Sequence, residues 1–174
     1  MERRFYEYRG MRGGEHYERM EANPMIGYRG CFRNVAESDL FGIELAAITH
    51  VWESGLSNLH LMIPFVRTTG EFARCAALVK ASGLMDRRGF ELWVMAEVPS
   101  VIYHLEDYAR PGIAGVSIGS NDLTQLMLGV DRDSEVLAPL FDERDPAVLG
   151  AMQQIITTCR TLGLTSSICG QFHR

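Results

Sequence analysis

The sequence predicts an α/β fold: a parallel sheet of about four strands covered by helices. Three observations carry this. Short apolar runs of strand length recur at 59–65, 92–96, 114–118 and 164–168. Between them lie segments whose apolar residues recur at helical spacing. Strands that are apolar throughout and alternate with amphipathic helices are buried on both faces, as in parallel sheets. Finally, Glu97, Asp122 and Cys169 each stand at or just past the C-terminal end of a run. In parallel α/β folds those ends open on one face.

The elements follow in order. Residues 1–37 have weak periodicity, with turn signals at Gly13-Gly14 and Asn23-Pro24. They read as an irregular lead-in to a core at 38–174, the whole forming one domain. Arg29, between Gly27 and Gly30, is placed to face an anion bidentately, although a turn arginine in solvent is the plainer expectation. Ser38 is expected to cap a helix to about residue 54, with Leu40, Ile43, Ala47, Ile48 and Val51 facing inward and Gly55 as its stop. His60 interrupts the first strand and is expected to be a hydrogen-bonded structural histidine. Thr68 or Thr69 caps the next helix, Phe72, Ala76 and Val79 face inward, and Gly83 ends it. Arg67, just past the strand, is expected in solvent. Ser100 starts a short helix to about residue 109, and Pro111-Gly112 turns the chain into the third strand. Asp145 followed by Pro146 is a helix start with proline at the first helical position. The inner face of that helix is Val148, Met152, Ile155, Ile156 and Cys159, and Gly163 ends it.

Composition removes several function classes. The chain has 174 residues, 47% hydrophobic and 22% charged, enough for a folded core and too apolar for disorder. A net charge of −5 leaves no electrostatic footprint for nucleic acid. No apolar run is long enough to span a bilayer, and the start, MERRFYEYRG, has no signal-peptide core. The four cysteines show no CxxC spacing, so neither zinc nor a disulfide framework is expected, and a reducing cytoplasm is the expected compartment.

The chemistry centres on 115–125, GVSIGSNDLTQ. A strand breaks at Gly119 into Ser120-Asn121-Asp122, and a helix is expected to open at Leu123 and run through Leu128. Gly119 permits close approach of a ligand to the backbone. Asn121 and Asp122 either meet that ligand or cap the helix. A carboxylate at a buried strand end, such as Glu97, is costly unless paired or metal-bound. Glu97 and Asp122 together suit Mg²⁺, which takes one or two protein carboxylates and completes its shell with substrate oxygens and water. Cys169 is a poor Mg²⁺ ligand but a serviceable acid–base group. With Arg29 and Arg132 as phosphate-binding groups, the set suits enolate chemistry on a phosphorylated three-carbon acid, one reading among those these residues allow.

The segments NPMIGYRG at 23–30, LMIPFVRT at 61–68, VMAEVPS at 94–100, GVSIGSNDLTQLMLGVDRDSE at 115–135, LFDERDPAV at 140–148 and ICGQ at 168–171 add a more specific signal. In order and spacing they resemble the C-terminal barrel of the phosphoenolpyruvate (PEP)-utilising enzymes. EYR at 7–9, DRDSE, FDERD and ICGQ are most similar to the synthase branch (pyruvate, water dikinase). The alternatives are the pyruvate phosphate dikinases and the first enzyme of the sugar phosphotransferase system, which tend to carry Glu after the Cys-Gly pair. The resemblance implies a (β/α)₈ barrel with its site at the C-terminal face. It implies Glu97 and Asp122 as Mg²⁺ ligands. It also implies Arg29, Glu97, Gly119, Ser120, Asn121, Asp122 and Arg132 as the groups that hold pyruvate or PEP, and Cys169 as proton donor and acceptor at the substrate carbon. The implied parent reaction converts ATP, pyruvate and water to AMP, PEP and phosphate through a phosphohistidine. No Thr-Cys-His carrier segment and no ATP-binding domain are present, and about four of eight strands can be placed. The expectation is therefore a fragment, a partial TIM barrel beginning after the third strand and stopping at the seventh. The tail 172–174 departs from the family's usual continuation, and Cys31 and Ala96 stand where other residues are common. Such a piece is expected to be inactive alone and able to self-associate, with a non-catalytic remnant as the alternative.

Overall fold

A computed structural model describes residues 11–18 and 20–170. The EYR segment at 7–9 and the tail from Gln171, including His173, lie outside the described residues. Four strands pair in parallel in chain order: β1 (Leu61–Ile63), β2 (Leu92–Ala96), β3 (Gly115–Gly119) and β4 (Thr165–Cys169). Six α-helices accompany them among the described residues: α1 (Cys31–Ala36), α2 (Ser38–Glu53), α3 (Thr69–Ala81), α4 (Ser100–Ala109), α5 (Ser120–Leu128) and α6 (Pro146–Thr161). The alternation of strand and helix makes this an arc of a (β/α)₈ barrel.

Register separates the two faces of the sheet, because directly paired residues of parallel strands point the same way. Ile63, Val94 and Val116 align on one face, as do Ala96 and Ile118, and all are buried under the helices. There they meet Phe72, Val79, Leu105, Tyr108 and Ile155 in one core. The rings of Phe72 and Tyr108 pack edge-on at 5.7 Å. The other face carries Met62, Trp93, Gly115 and Thr165 in one row and Met95, Ser117 and Ser167 in the next. Gly119 and Cys169 form its last row. The Trp93 ring lies across Gly115, where a Cβ would approach it to 2.5 Å.

Local chemistry explains most boundaries. Thr68 caps α3 by accepting the Glu71 N–H at 3.2 Å. Asp145 caps α6 by accepting the Ala147 N–H at 2.8 Å, and Pro146 is the first helical residue. His60 accepts the Glu91 N–H at 3.2 Å and packs edge-on against Trp52, the structural role expected of it.

Several expectations are corrected. Ser38 is the first residue of α2, not its cap, and Glu37 precedes it without a side-chain cap. Ile156 of α6 is 37% exposed, outside the buried face of Val148, Met152, Ile155 and Cys159. The lead-in is not wholly irregular, since Cys31–Ala36 forms α1. In α2 the buried residues are Phe41, Leu45 and Trp52, while Leu40 and Ile43 are 48% and 68% exposed. Both sets have helical spacing, and the set containing Trp52 is the one turned inward. Its indole N–H donates to the Leu59 carbonyl at 2.8 Å and its ring packs on Phe90. β1 is shorter than the apolar run, because Pro64 has no N–H for the ladder and Phe65 turns the chain at φ +49°. α5 begins at Ser120, three residues ahead of Leu123, and Gly119 stands before it without a side-chain cap.

Candidate active site

The site grows from the turn after β1. Phe65 sits in the left-handed region, which for a bulky residue costs about 1–3 kcal/mol. Two contacts hold it there. Its N–H donates to Glu97 Oε1 at 2.6 Å. Gly30, at φ +62° and ψ −142°, packs so closely that a Cβ at that position would lie 2.5 Å from Phe65 Cβ. The Pro64 carbonyl then accepts the Cys31 N–H at 2.9 Å, which ties the start of α1 to the same turn.

The Phe65 ring supports two guanidinium groups, with Arg29 Cζ 4.2 Å and Arg67 Cζ 4.6 Å from its centroid. Arg67 is not in solvent as expected. It donates to the Gly27 carbonyl at 2.5 Å and to the Arg29 carbonyl at 3.1 Å, fastening the loop that carries Arg29. Arg29 in turn donates to Asp122 Oδ2 at 3.0 Å. Arg132, from the loop after α5, places its Nη2 3.9 Å from Asp122 Oδ1. The Asp122 carboxylate, 8% exposed, is thus shared by two arginines. Its place in the first turn of α5 also suits the helix dipole, yet its side-chain partners are arginines, so capping does not explain it.

Glu97 follows β2 directly and is 4% exposed. Its second oxygen faces Gly119, where a Cβ would come within 2.7 Å of Oε2. Glycine at 119 therefore lets the Glu97 side chain pack directly against the backbone at the end of β3. Glu97 and Asp122 are joined through Phe65 and Arg29 in one connected cluster past the ends of β2 and β3. Cys169 ends β4 in register with Gly119 and is exposed, whereas Cys31, Cys75 and Cys159 are fully buried. Ser120 is fully buried and Asn121 half-buried on the first turn of α5. Chemically, two guanidiniums flank one buried carboxylate, and an exposed thiol stands at the neighbouring strand end.

Three features of this cluster went unseen in the sequence: the Phe65 turn, the fastening by Arg67, and Glu143, which accepts the Ser120 hydroxyl at 2.8 Å. The turn had a partial signal in Pro64, and the other two contacts join residues with no local pattern between them.

Residues 5–173 match the family described as PEP-utilising enzyme, PEP-binding domain. The chain belongs to this family. A probable phosphoenolpyruvate synthase from Staphylothermus marinus is 49% identical over 170 residues, covering 95% of this chain and 20% of that protein. The phosphoenolpyruvate synthase of Aeropyrum pernix is 48% identical, over 95% of this chain and 21% of that protein. That of Pseudomonas aeruginosa is 44% identical, with the same shares of 95% and 21%. The chain thus spans about a fifth of the length of these relatives. Among solved structures, a citrate lyase from Burkholderia xenovorans superposes with a TM-score of 0.53 at 20% identity, covering 66% of this chain and 37% of that one. This likeness supports the barrel arc. Among the described residues no helix is long and apolar enough to cross a membrane.

Proposed function

We propose that this chain is the substrate-binding part of a phosphoenolpyruvate synthase, whose reaction converts ATP, pyruvate and water to AMP, PEP and phosphate. The observation that carries the reading is the Asp122 carboxylate held between Arg29 and Arg132, beside Glu97 and near the strand end that presents Cys169. The likeness to phosphoenolpyruvate synthases over 95% of the chain supports the same reading.

In this reading Arg29 and Arg132 hold the carboxylate and phosphoryl oxygens of the substrate. Glu97 and Asp122 would hold Mg²⁺. The fit rests on two buried carboxylates, hard oxygen donors, linked through Phe65 and Arg29 past the ends of β2 and β3. When bound, the ion supplies Lewis-acid stabilisation of negative charge on substrate oxygens. Cys169 removes a proton from the pyruvate methyl group as the enolate forms, and returns it in the reverse direction. Gly119, Ser120 and Asn121 form the wall beside the substrate, with Gly119 letting Glu97 pack close to the backbone. The burial of Glu97 and Asp122 strengthens each electrostatic contact relative to water. ATP activation and the phosphohistidine belong to the part of the relatives that this chain does not cover.

The test uses a synthase in which this chain replaces the matching segment of the Aeropyrum pernix relative. Cys169→Ser should abolish exchange of pyruvate methyl protons with solvent and leave ATP-dependent phosphorylation of the carrier histidine intact. Methyl exchange at the unmutated rate would overturn the assignment.

A further inference from the structure

Glu143 lies in the loop between α5 and α6, and its Oε1 accepts the hydroxyl of Ser120 at 2.8 Å. Ser120 is fully buried and directly follows Gly119, the register partner of Cys169. Gly170, the residue after Cys169, lies against the same pair. A Cβ at 170 would overlap Ser120 Oγ and stand 3.6 Å from Glu143 Oε1. Two adjacent strands, β3 and β4, therefore leave the sheet around one side-chain hydrogen bond. The same loop also meets the first turn of α5 at a second point, through Arg132 and Asp122.

The bond has the properties of a latch. A buried hydroxyl has a single proton, and here it goes to a carboxylate, which makes a bond roughly twice as strong as a neutral one. Gly170 has no side chain, so the exit of β4 can pass directly over that bond. We infer that Glu143 is a positioning residue for Cys169: through Ser120 it fixes the exit of β4, and with it the approach of the thiol to the reacting carbon. This rests on the reading of Cys169 as the proton-transfer group. Glu143 touches no reacting atom in this assignment. It acts on geometry, where a displacement of about 1 Å can cost about a hundredfold in rate.

The experiment measures pyruvate methyl exchange against pyruvate concentration in the same chain-carrying synthase. Glu143→Ala should lower kcat by about tenfold or more, with little change in KM, because Arg29, Arg132 and Asp122 are separate contacts. Glu143→Gln keeps an oxygen that accepts from Ser120 and should restore most of kcat. Glu143→Asp keeps the charge but falls one methylene short, so it should behave like Glu143→Ala; it serves if the alanine variant does not fold. Cys169→Ser, run alongside, separates the two levels. If it still exchanges the methyl protons, the underlying reading of Cys169 is overturned. If it does not, and the Glu143→Ala or Glu143→Asp variant exchanges at the unmutated kcat or changes KM alone, only the positioning role is overturned.

Discussion

Asp122 shows how much a single side chain carries in this cluster. Its carboxylate accepts from Arg29 at 3.0 Å, lies 3.9 Å from Arg132, and is 8% exposed. Replacing it with asparagine leaves two guanidiniums facing each other with the charge between them removed. Asp122→Asn should cost about 1–3 kcal/mol, and under the proposed function it should abolish PEP binding in the presence of Mg²⁺, measured by calorimetry on the chain-carrying synthase. An unchanged melting temperature together with unchanged PEP affinity would show that the carboxylate is dispensable. The cysteines divide in the same residue-specific way. Cys31 has its pKa pushed up by its contact with the Cys75 thiol and by burial, and burial likewise raises Cys159. Both stay neutral thiols at ordinary pH, and the thiolate is the reactive form. Iodoacetamide should therefore label Cys169 alone in the folded protein and all four cysteines in denaturant. Mass-spectrometric detection of alkylated Cys31 under native conditions would contradict this.

At the scale of elements, the turn joining β1 to α3 is held more by tertiary contacts than by its own sequence. Gly30 has φ +62° and no room for a Cβ beside Phe65, whereas Gly42, in the middle of α2, has nothing within 4 Å of that position. Gly42→Ala should stabilise the protein by roughly 0.5–1 kcal/mol through helix propensity. Gly30→Ala should destabilise it by more than that and loosen the Arg29 loop. Thermal melts of the two variants should move in opposite directions, and parallel shifts would show that Gly30 is not needed at the turn. The same contrast explains what the sequence could reveal. β2 and α4 were legible to the residue, because Glu97-Val98-Pro99 separates an apolar strand from a helix that starts at Ser100. The start of α6 was legible because Asp145-Pro146 is a local signal. The start of α5 was not. Ser120, Asn121 and Asp122 look like a turn, and Ser120 and Asp122 are buried by Glu143 and Arg29, the latter 93 positions away in the chain. The inner face of α2 was ambiguous for a similar reason, since two apolar stripes fit the helical period and only contact with Leu59 and Phe90 selects one. The residues of the candidate site were legible by type and by position at strand ends. Their pairing, with Asp122 between two arginines and Glu97 on a strained turn, was not.

For the whole molecule, the first consequence concerns pH. Cys31 and Cys159 have ordinary thiol values of 9.0, and both are raised in the fold. Burial pushes Tyr108 from 10.0 up to about 12. Each group keeps its proton in the fold at a pH where the unfolded chain has released it. The stability they contribute is thus fully present below about pH 9 and falls as pH rises toward the folded values. Melting temperatures compared at about pH 8 and about pH 10.5 should show the loss, and equal values would refute it.

The second consequence concerns the open edges of the sheet. Its order is β1-β2-β3-β4, so among the described residues β1 and β4 each have one unpaired side. A barrel closes by pairing its last strand with its first, which removes such edges, and an unpaired edge is a template for another chain. Apolar groups stand on and near these strands: Met62 on β1 is 40% exposed and Ile168 on β4 is 45% exposed. On the outside Leu40 and Ile43 of α2 are likewise uncovered, although their spacing would suit a buried face. None of the residues of β4 is buried, in contrast to β3, where all five are. The 174-residue chain on its own should therefore self-associate at micromolar concentration. Sedimentation velocity should show a concentration-dependent shift to larger species. Ile168→Lys, which places a charge on the open edge, should reduce that shift without altering the buried core. A monodisperse monomer with a cooperative thermal transition would instead show that the four-stranded arc is sufficient by itself, with its edges protected in some other way.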